Sequence, residues 1–213
     1  MSNLEAKFAG LGAENAPGQE VRQNADDLKS VVRGDVIPGR AVDFSHGDVD
    51  TFVPMPGARE AWEAGYDLGG AQAYTEYRGA AEIRADVARS LADFTGAPVD
   101  PVDELIITPG TQGALFLALG AVVDQGTKVA IIEPDYFANR KLVRFFGGEI
   151  LPIPLRYHDT PDQNGPNLDA LETACKAGVE VFVFSTPNNP TGQVFGETAI
   201  TRIADLAAQY DLT

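Results

Sequence analysis

Residues Leu105 to Leu115 read Leu-Ile-Ile-Thr-Pro-Gly-Thr-Gln-Gly-Ala-Leu. Three apolar residues end a predicted strand. Thr108-Pro109-Gly110 makes a tight turn, and Thr111 and Gln112 open an apolar helix running through Leu115, Leu119 and Val122. A helix N-terminus presents unpaired backbone N–H groups and the positive end of the dipole. Directly after a strand, it can hold an anion, most often a phosphate. Gly110 lets a ligand approach the backbone, and the Thr111 hydroxyl adds a donor. Taken alone the signal is weak, and the same residues read first as an ordinary strand-to-helix turn with a good N-cap.

Two further segments carry groups of complementary chemistry. Pro134-Asp135-Tyr136-Phe137 fixes an aromatic ring just after a proline, suited to stacking on a flat ligand. Thr186-Pro187-Asn188-Asn189-Pro190-Thr191-Gly192 holds two asparagines between prolines. An asparagine held this rigidly can bond a ligand oxygen with little entropy lost.

The elements that must position these loops follow from periodicity. Strands are predicted over Glu104–Ile107, Lys128–Glu133, Glu149–Leu155 and Val179–Ser185. Helices are predicted over Gly110–Val123, Phe137–Phe146, Asn167–Lys176 and Thr198–Tyr210. Apolar strands alternating with amphipathic helices imply an α/β fold of three layers (αβα), its mostly parallel sheet covered on both faces. Ligands in such sheets sit beyond the carboxyl ends of the strands. All three loops follow predicted strands and should open on one rim. Upstream, helices are expected over Ala58–Ala64 and Ala81–Phe94, the latter with Ile83, Val87, Leu91 and Phe94 on its buried face and Arg84, Asp86 and Arg89 as its charges. A short helix at Asn24–Val32 and a strand at Val42–Asp48 ending in a glycine turn are also expected. Residues 1–40 are weakly patterned: a flexible tail, or an arm that crosses to a partner subunit with Phe8 and Leu11 as its anchors.

The 213 residues allow one or two domains and a sizeable core. A net charge of −15 argues against nucleic acid or an anionic membrane as partner. Cys175 is the only cysteine, so no internal disulfide forms, and it sits in a helical pattern as a small buried side chain. His46, in the turn after the Val42 strand, has no second histidine or cysteine at metal-ligand spacing, so no metal site is expected. No signal peptide or membrane-spanning run is legible, and the cytoplasm is the default location.

A phosphate site, a stacking ring and a donor for a ring hydroxyl together describe pyridoxal 5′-phosphate. At these residues the sequence resembles the class I/II aminotransferases, pyridoxal-phosphate enzymes of fold type I. The resemblance runs from about Val42 to Thr213. Its most specific motif is Asn188-Asn189-Pro190-Thr191-Gly192, similar to the family's Asn-Pro-Thr-Gly turn. Thr108–Leu115, Pro134-x-Tyr136, and Tyr74 five residues before Gly79 support it in the family's order.

The resemblance implies roles residue by residue. Gly110, Thr111 and Gln112 cradle the cofactor phosphate. Gln112 stands where some members carry a hydroxyl residue, so its N–H has the implied role and its side chain is left unassigned. Tyr136 stacks on the pyridine ring, and Asn189 bonds the ring hydroxyl oxygen. Tyr74 reaches the phosphate of the partner subunit's cofactor, which implies a homodimer. Gly47 lies near the substrate carboxylate. The substrates implied are an amino acid and a 2-oxo acid. Residues 1–57 correspond to an arm and part of a small domain, and 58–213 to the N-terminal part of the large cofactor-binding domain.

The family's Schiff-base lysine, the aspartate that pairs with the ring nitrogen and the carboxylate-gripping arginine lie on later strands than any read here. Lys7, Lys29, Lys128, Lys141 and Lys176 read as surface lysines. No catalytic residue is therefore assigned, and the resemblance implies an N-terminal half, inactive alone. The alternatives are a fold type I lyase or synthase, a non-catalytic truncated remnant, and, more weakly, a dinucleotide-binding domain, whose Gly-x-Gly-x-x-Gly spacing is missing.

Overall fold

A computed structural model of the chain describes residues 3–11, 52–68, 74–156 and 164–213. They belong to two compact units, one of Met1–Leu11 with Glu76–Thr213, the other of Gly12–Thr75. The expected helix at Asn24–Val32 and strand at Val42–Asp48, with His46 and Gly47, lie outside the described residues.

The larger unit is built on one strand, β1 (Lys128–Glu133). Its residues Val129, Ala130, Ile131 and Ile132 are all at most 1% exposed. Such a run, apolar on both faces, is what a strand covered on two sides requires. β1 pairs in parallel with β2 (Glu149–Arg156) on one edge and with β4 (Val181–Val183) on the other. The register sets Lys128 beside Glu149 and Val129 beside Val181. The short β3 (Gly165–Pro166) adds antiparallel to β2, giving the order β3-β2-β1-β4. Pro152 and Pro154 of β2 are two residues apart, so both missing donors fall on the same edge. Away from β1, β2 has only the two-residue β3 to satisfy, and the prolines are tolerated there.

Helices cover both faces. Ala130 and Ile132 pack with Leu171, Ala174 and Cys175 of α6 (Leu168–Lys176) and Ala199, Ile203 and Leu206 of α7 (Glu197–Tyr210). Val129 and Ile131 face Leu119 of α4 (Gly110–Val122) and Val143 of α5 (Phe137–Phe146). Full burial of each large aliphatic is worth roughly 1.5–3 kcal/mol. Asn167 caps α6, its side chain accepting from the Ala170 N–H at 3.2 Å, a contribution of about 1 kcal/mol. Cys175 is buried in this core, and burial pushes its thiol pKa up.

The remaining helices are α1 (Asn3–Leu11), α2 (Ala58–Asp67, in the smaller unit) and α3 (Ala81–Thr95). In α1, Lys7 stands over the Phe145 ring at 4.9 Å from its centroid, and Phe8 is exposed in this single chain. No described helix is long and apolar enough to cross a membrane.

The structure corrects two expectations. Glu104–Ile107 is irregular, a bend at Glu104 followed by residues of no regular structure, and belongs to no sheet among the described residues. A strand needs a continuous hydrogen-bonded neighbour, and here the backbone link is a single bond from the Ile107 N–H to Arg78 O at 2.9 Å. Ile106 and Ile107 are accordingly exposed. The α3 stripe also differs: Ile83 and Phe94 are exposed, whereas Arg84 and Ala88 are buried; Val87 is half-buried, and Asp86 and Arg89 are exposed as expected. Arg84 is drawn in by hydrogen bonds rather than by apolar contact. Its guanidinium donates to Gly79 O at 3.0 Å, to Glu76 Oε2 at 2.8 Å and to Pro101 O. Three acceptors replace the water it loses.

Gly79 lies under the same knot at φ +92, and a Cβ there would sit 2.6 Å from Ile107 Cγ1. Gly79→Ala should therefore destabilise the chain by about 1–3 kcal/mol in urea unfolding. In an Ile107→Gly background the cost should shrink, because all the atoms a Cβ at 79 would meet, Ile107 Cβ at 2.7 Å included, are then gone and only the backbone strain remains. Equal costs in both backgrounds would contradict the packing described.

Candidate functional site

The loops after β1 and β4 leave the carboxyl ends of two parallel strands and so reach the same rim. Glu133–Pro134, Thr186–Pro187 and Asn189–Pro190 are cis. The two loops are tied by Asn188, which is only 2% exposed. Its Nδ2 donates to Pro134 O at 3.4 Å, and its Oδ1 accepts from the Thr191 hydroxyl at 2.7 Å. Its backbone accepts from the Gly192 N–H at 2.6 Å and donates to Gln193 O at 2.8 Å. Asn188 is thus consumed in holding the turn. Asn189 next to it is exposed, and its N–H donates to Ser185 Oγ at 3.1 Å. Of the two asparagines, Asn189 is the one whose side chain faces outward from a fixed backbone.

The N-terminus of α4 joins this rim through one bond. Gln112 Nε2 donates to the Tyr136 hydroxyl at 2.7 Å. Gly110 adopts φ +70, and a Cβ built on it meets nothing within 4 Å, so the space before the helix is open. Its N–H turns back to Thr108 O at 2.7 Å. The helix has no side-chain cap, so Thr111 and Gln112 stand exposed in a first turn without intrahelical acceptors. Tyr136 is the N-cap residue of α5 and is half-buried, its ring 4.7 Å from that of Phe137. An open first helical turn, a fixed ring and an outward carboxamide fit the phosphate, the pyridine face and the ring hydroxyl of pyridoxal phosphate.

Tyr74 is fully exposed in the smaller unit. Gly47 is outside the described residues. Lys128 donates to Ala177 O at 2.7 Å, Lys176 pairs with Glu172 at 2.8 Å, and Lys7 stands over Phe145. Lys141 stands over Phe137, 5.0 Å from its centroid.

Sequence reasoning missed a buried polar pair flanking Tyr136 in the chain. Asn139 Nδ2 donates to Asp135 Oδ2 at 2.8 Å, and both residues are buried. Asp135 Oδ1 and Asn139 Oδ1 have no hydrogen-bond partner among the described residues. Burial pushes the Asp135 carboxyl pKa up, while the Asn139 amide, the Tyr136 backbone N–H and the Arg140 charge pull it back. The spacing of Asp135 and Asn139 across a helix start was the available sequence signal, since it places the two side chains one turn apart.

The fold is that of the fold type I aminotransferases. An aspartate aminotransferase from Rhodobacter sphaeroides superposes with a TM-score of 0.84 at 54% identity, over 99% of this chain and 50% of that one. The family model for aminotransferase class I and II matches residues 40–213, and the chain belongs to that family. It is 30% identical to an aspartate aminotransferase of Sulfolobus acidocaldarius over 173 residues, 81% of this chain and 42% of that protein. It is 32% identical to human kynurenine–oxoglutarate transaminase 1 over 148 residues, 65% of this chain and 35% of that protein. The chain thus spans about a third to a half of the length of these relatives.

A raised carboxyl pKa means that the folded chain binds the Asp135 proton more tightly than the unfolded chain. Stability from this group is therefore lost as pH rises from the ordinary aspartate range near ~4 through the raised value. Asp135→Asn removes the titration. The stability of the parent minus that of the variant, from urea unfolding, should fall with pH across this window and then level off. A difference independent of pH would contradict the assignment.

Proposed function

We propose that the rim of Gly110, Thr111, Gln112, Tyr136 and Asn189 binds pyridoxal 5′-phosphate, and that the protein moves an amino group from an amino acid to a 2-oxo acid. The observation that carries this reading is the 2.7 Å bond from Gln112 to Tyr136, which joins the anion end of the rim to its flat-ring end. The bound cofactor supplies an electron sink and a carrier for the amino group. The first turn of α4 receives the phosphate on the N–H groups of Thr111 and Gln112, with the Thr111 hydroxyl beside them. Tyr136 covers one face of the ring and keeps water off it. Asn189 donates to the ring hydroxyl oxygen.

Further parts of this reading concern residues away from the rim. Tyr74 serves the phosphate of the partner subunit's cofactor, so the working protein is a homodimer. Gly47 lies beside the substrate carboxylate. The Schiff-base lysine is none of those in this sequence, so the chain by itself holds the cofactor without covalent attachment and does not transaminate. The likeness to the Rhodobacter sphaeroides protein makes aspartate the first amino donor to try.

The 213-residue chain should bind pyridoxal phosphate saturably, and Tyr136→Ala should weaken binding about tenfold, read by cofactor absorbance and fluorescence. A protein containing this chain and matching its relatives in length should turn aspartate and a 2-oxo acid into a new 2-oxo acid and a new amino acid, one for one. Elimination products would overturn amino transfer, and absence of cofactor binding would overturn the site.

A further inference from the structure

Tyr136 is fixed at its backbone before its ring is considered. Its carbonyl accepts from the Asn139 N–H at 3.1 Å, and the carbonyl of the preceding Pro134 accepts from the buried Asn188 amide at 3.4 Å. The ring is half-buried and keeps two side-chain torsions. Besides the neighbouring Phe137 ring, the ring meets Gln112, whose Nε2 donates to its hydroxyl across two loops 24 residues apart in sequence. Gln112 also stands in the first turn of α4, with its N–H among those open to an anion.

We propose that the Gln112 side chain is a positioning residue: it presets the Tyr136 ring for stacking and does not itself touch the phosphate. The proposal rests on the cofactor reading above and assigns the one group in the phosphate loop that this reading leaves without a role. A glutamine carboxamide with one of its two N–H donors on a phenol 2.7 Å away is directed along the rim, from the anion end toward the ring end. One residue then serves both halves of the cofactor, its backbone at the phosphate and its side chain behind the ring. The gain is preorganisation. A ring held in its stacking pose loses less rotamer freedom when the ligand arrives.

The test is a double-mutant cycle in the 213-residue chain, with Gln112→Leu, Tyr136→Phe and the double variant. Dissociation constants are measured for pyridoxal phosphate and for pyridoxal, which lacks the phosphate. Tyrosine labelled with 13C at Cζ reports the phenol of Tyr136 by NMR, identified by its loss in Tyr136→Phe. Each single variant should weaken pyridoxal phosphate about three- to tenfold, the double variant should be no worse than either, and pyridoxal should weaken by the same factor. The Tyr136 resonance should move in Gln112→Leu without ligand. A Gln112→Leu loss that persists in the Tyr136→Phe background, or that appears for pyridoxal phosphate and not for pyridoxal, would make Gln112 a phosphate contact and overturn the proposal. Unchanged affinity for both ligands would also overturn it. If the parent binds neither ligand, the proposed cofactor site fails, and the tether is judged on the NMR resonance alone, where no movement overturns it.

Discussion

β1 is paired in parallel on both edges and buried on both faces, and the rest of the larger unit depends on that constraint. Parallel pairing sends the carboxyl ends of β1 and β4 to the same side of the sheet. The loops that follow them therefore meet without any long-range recognition between their sequences. Burial on both faces requires two helical layers, and one of those helices, α4, brings its uncapped N-terminus to the same rim. The sheet supplies proximity, and the loops supply chemistry.

Proximity alone leaves the loops loose, and polar side chains remove that freedom. Asn188 joins the turn after β4 to the loop after β1, and Gln112 joins α4 to Tyr136. Each bond contributes about 1 kcal/mol or less to stability. Their larger effect is on geometry, because each connects segments that share no regular secondary structure. Arg84 does the same work elsewhere, holding the Gly79 turn and the Pro101 segment from within the protein. In all three cases the connecting group is an amide or guanidinium: Asn188 and Arg84 reach backbone carbonyls, and Gln112 reaches a phenol.

How much of this was legible in the sequence depended on where the stabilising partner lay. β1 was read to the residue, because a six-residue apolar strand bounded by polar turns carries its own evidence. α5 was read to the residue as well, since a proline precedes it and Gly147 closes it. The strand expected at Glu104–Ile107 was not found, because strand identity resides in a neighbour and not in the apolar run. The buried face of α3 was misassigned because charge was taken as exposure, whereas Arg84 has enough acceptors nearby to be buried. At the rim, residue types such as Asn189 and Tyr136 were legible from motif and order. The division of labour between Asn188 and Asn189, the Asp135–Asn139 pair and the direction of the Gln112 side chain depend on distances, and no pattern in the chain encodes those.

The central claim is that one rim holds both ends of a single cofactor. A crystal structure of the chain grown with pyridoxal phosphate tests it most directly. The account predicts the phosphate against the first turn of α4 at Thr111 and Gln112, the ring under Tyr136, and the ring hydroxyl beside Asn189. A cofactor bound elsewhere, or at this rim with its phosphate turned away from α4, would contradict it.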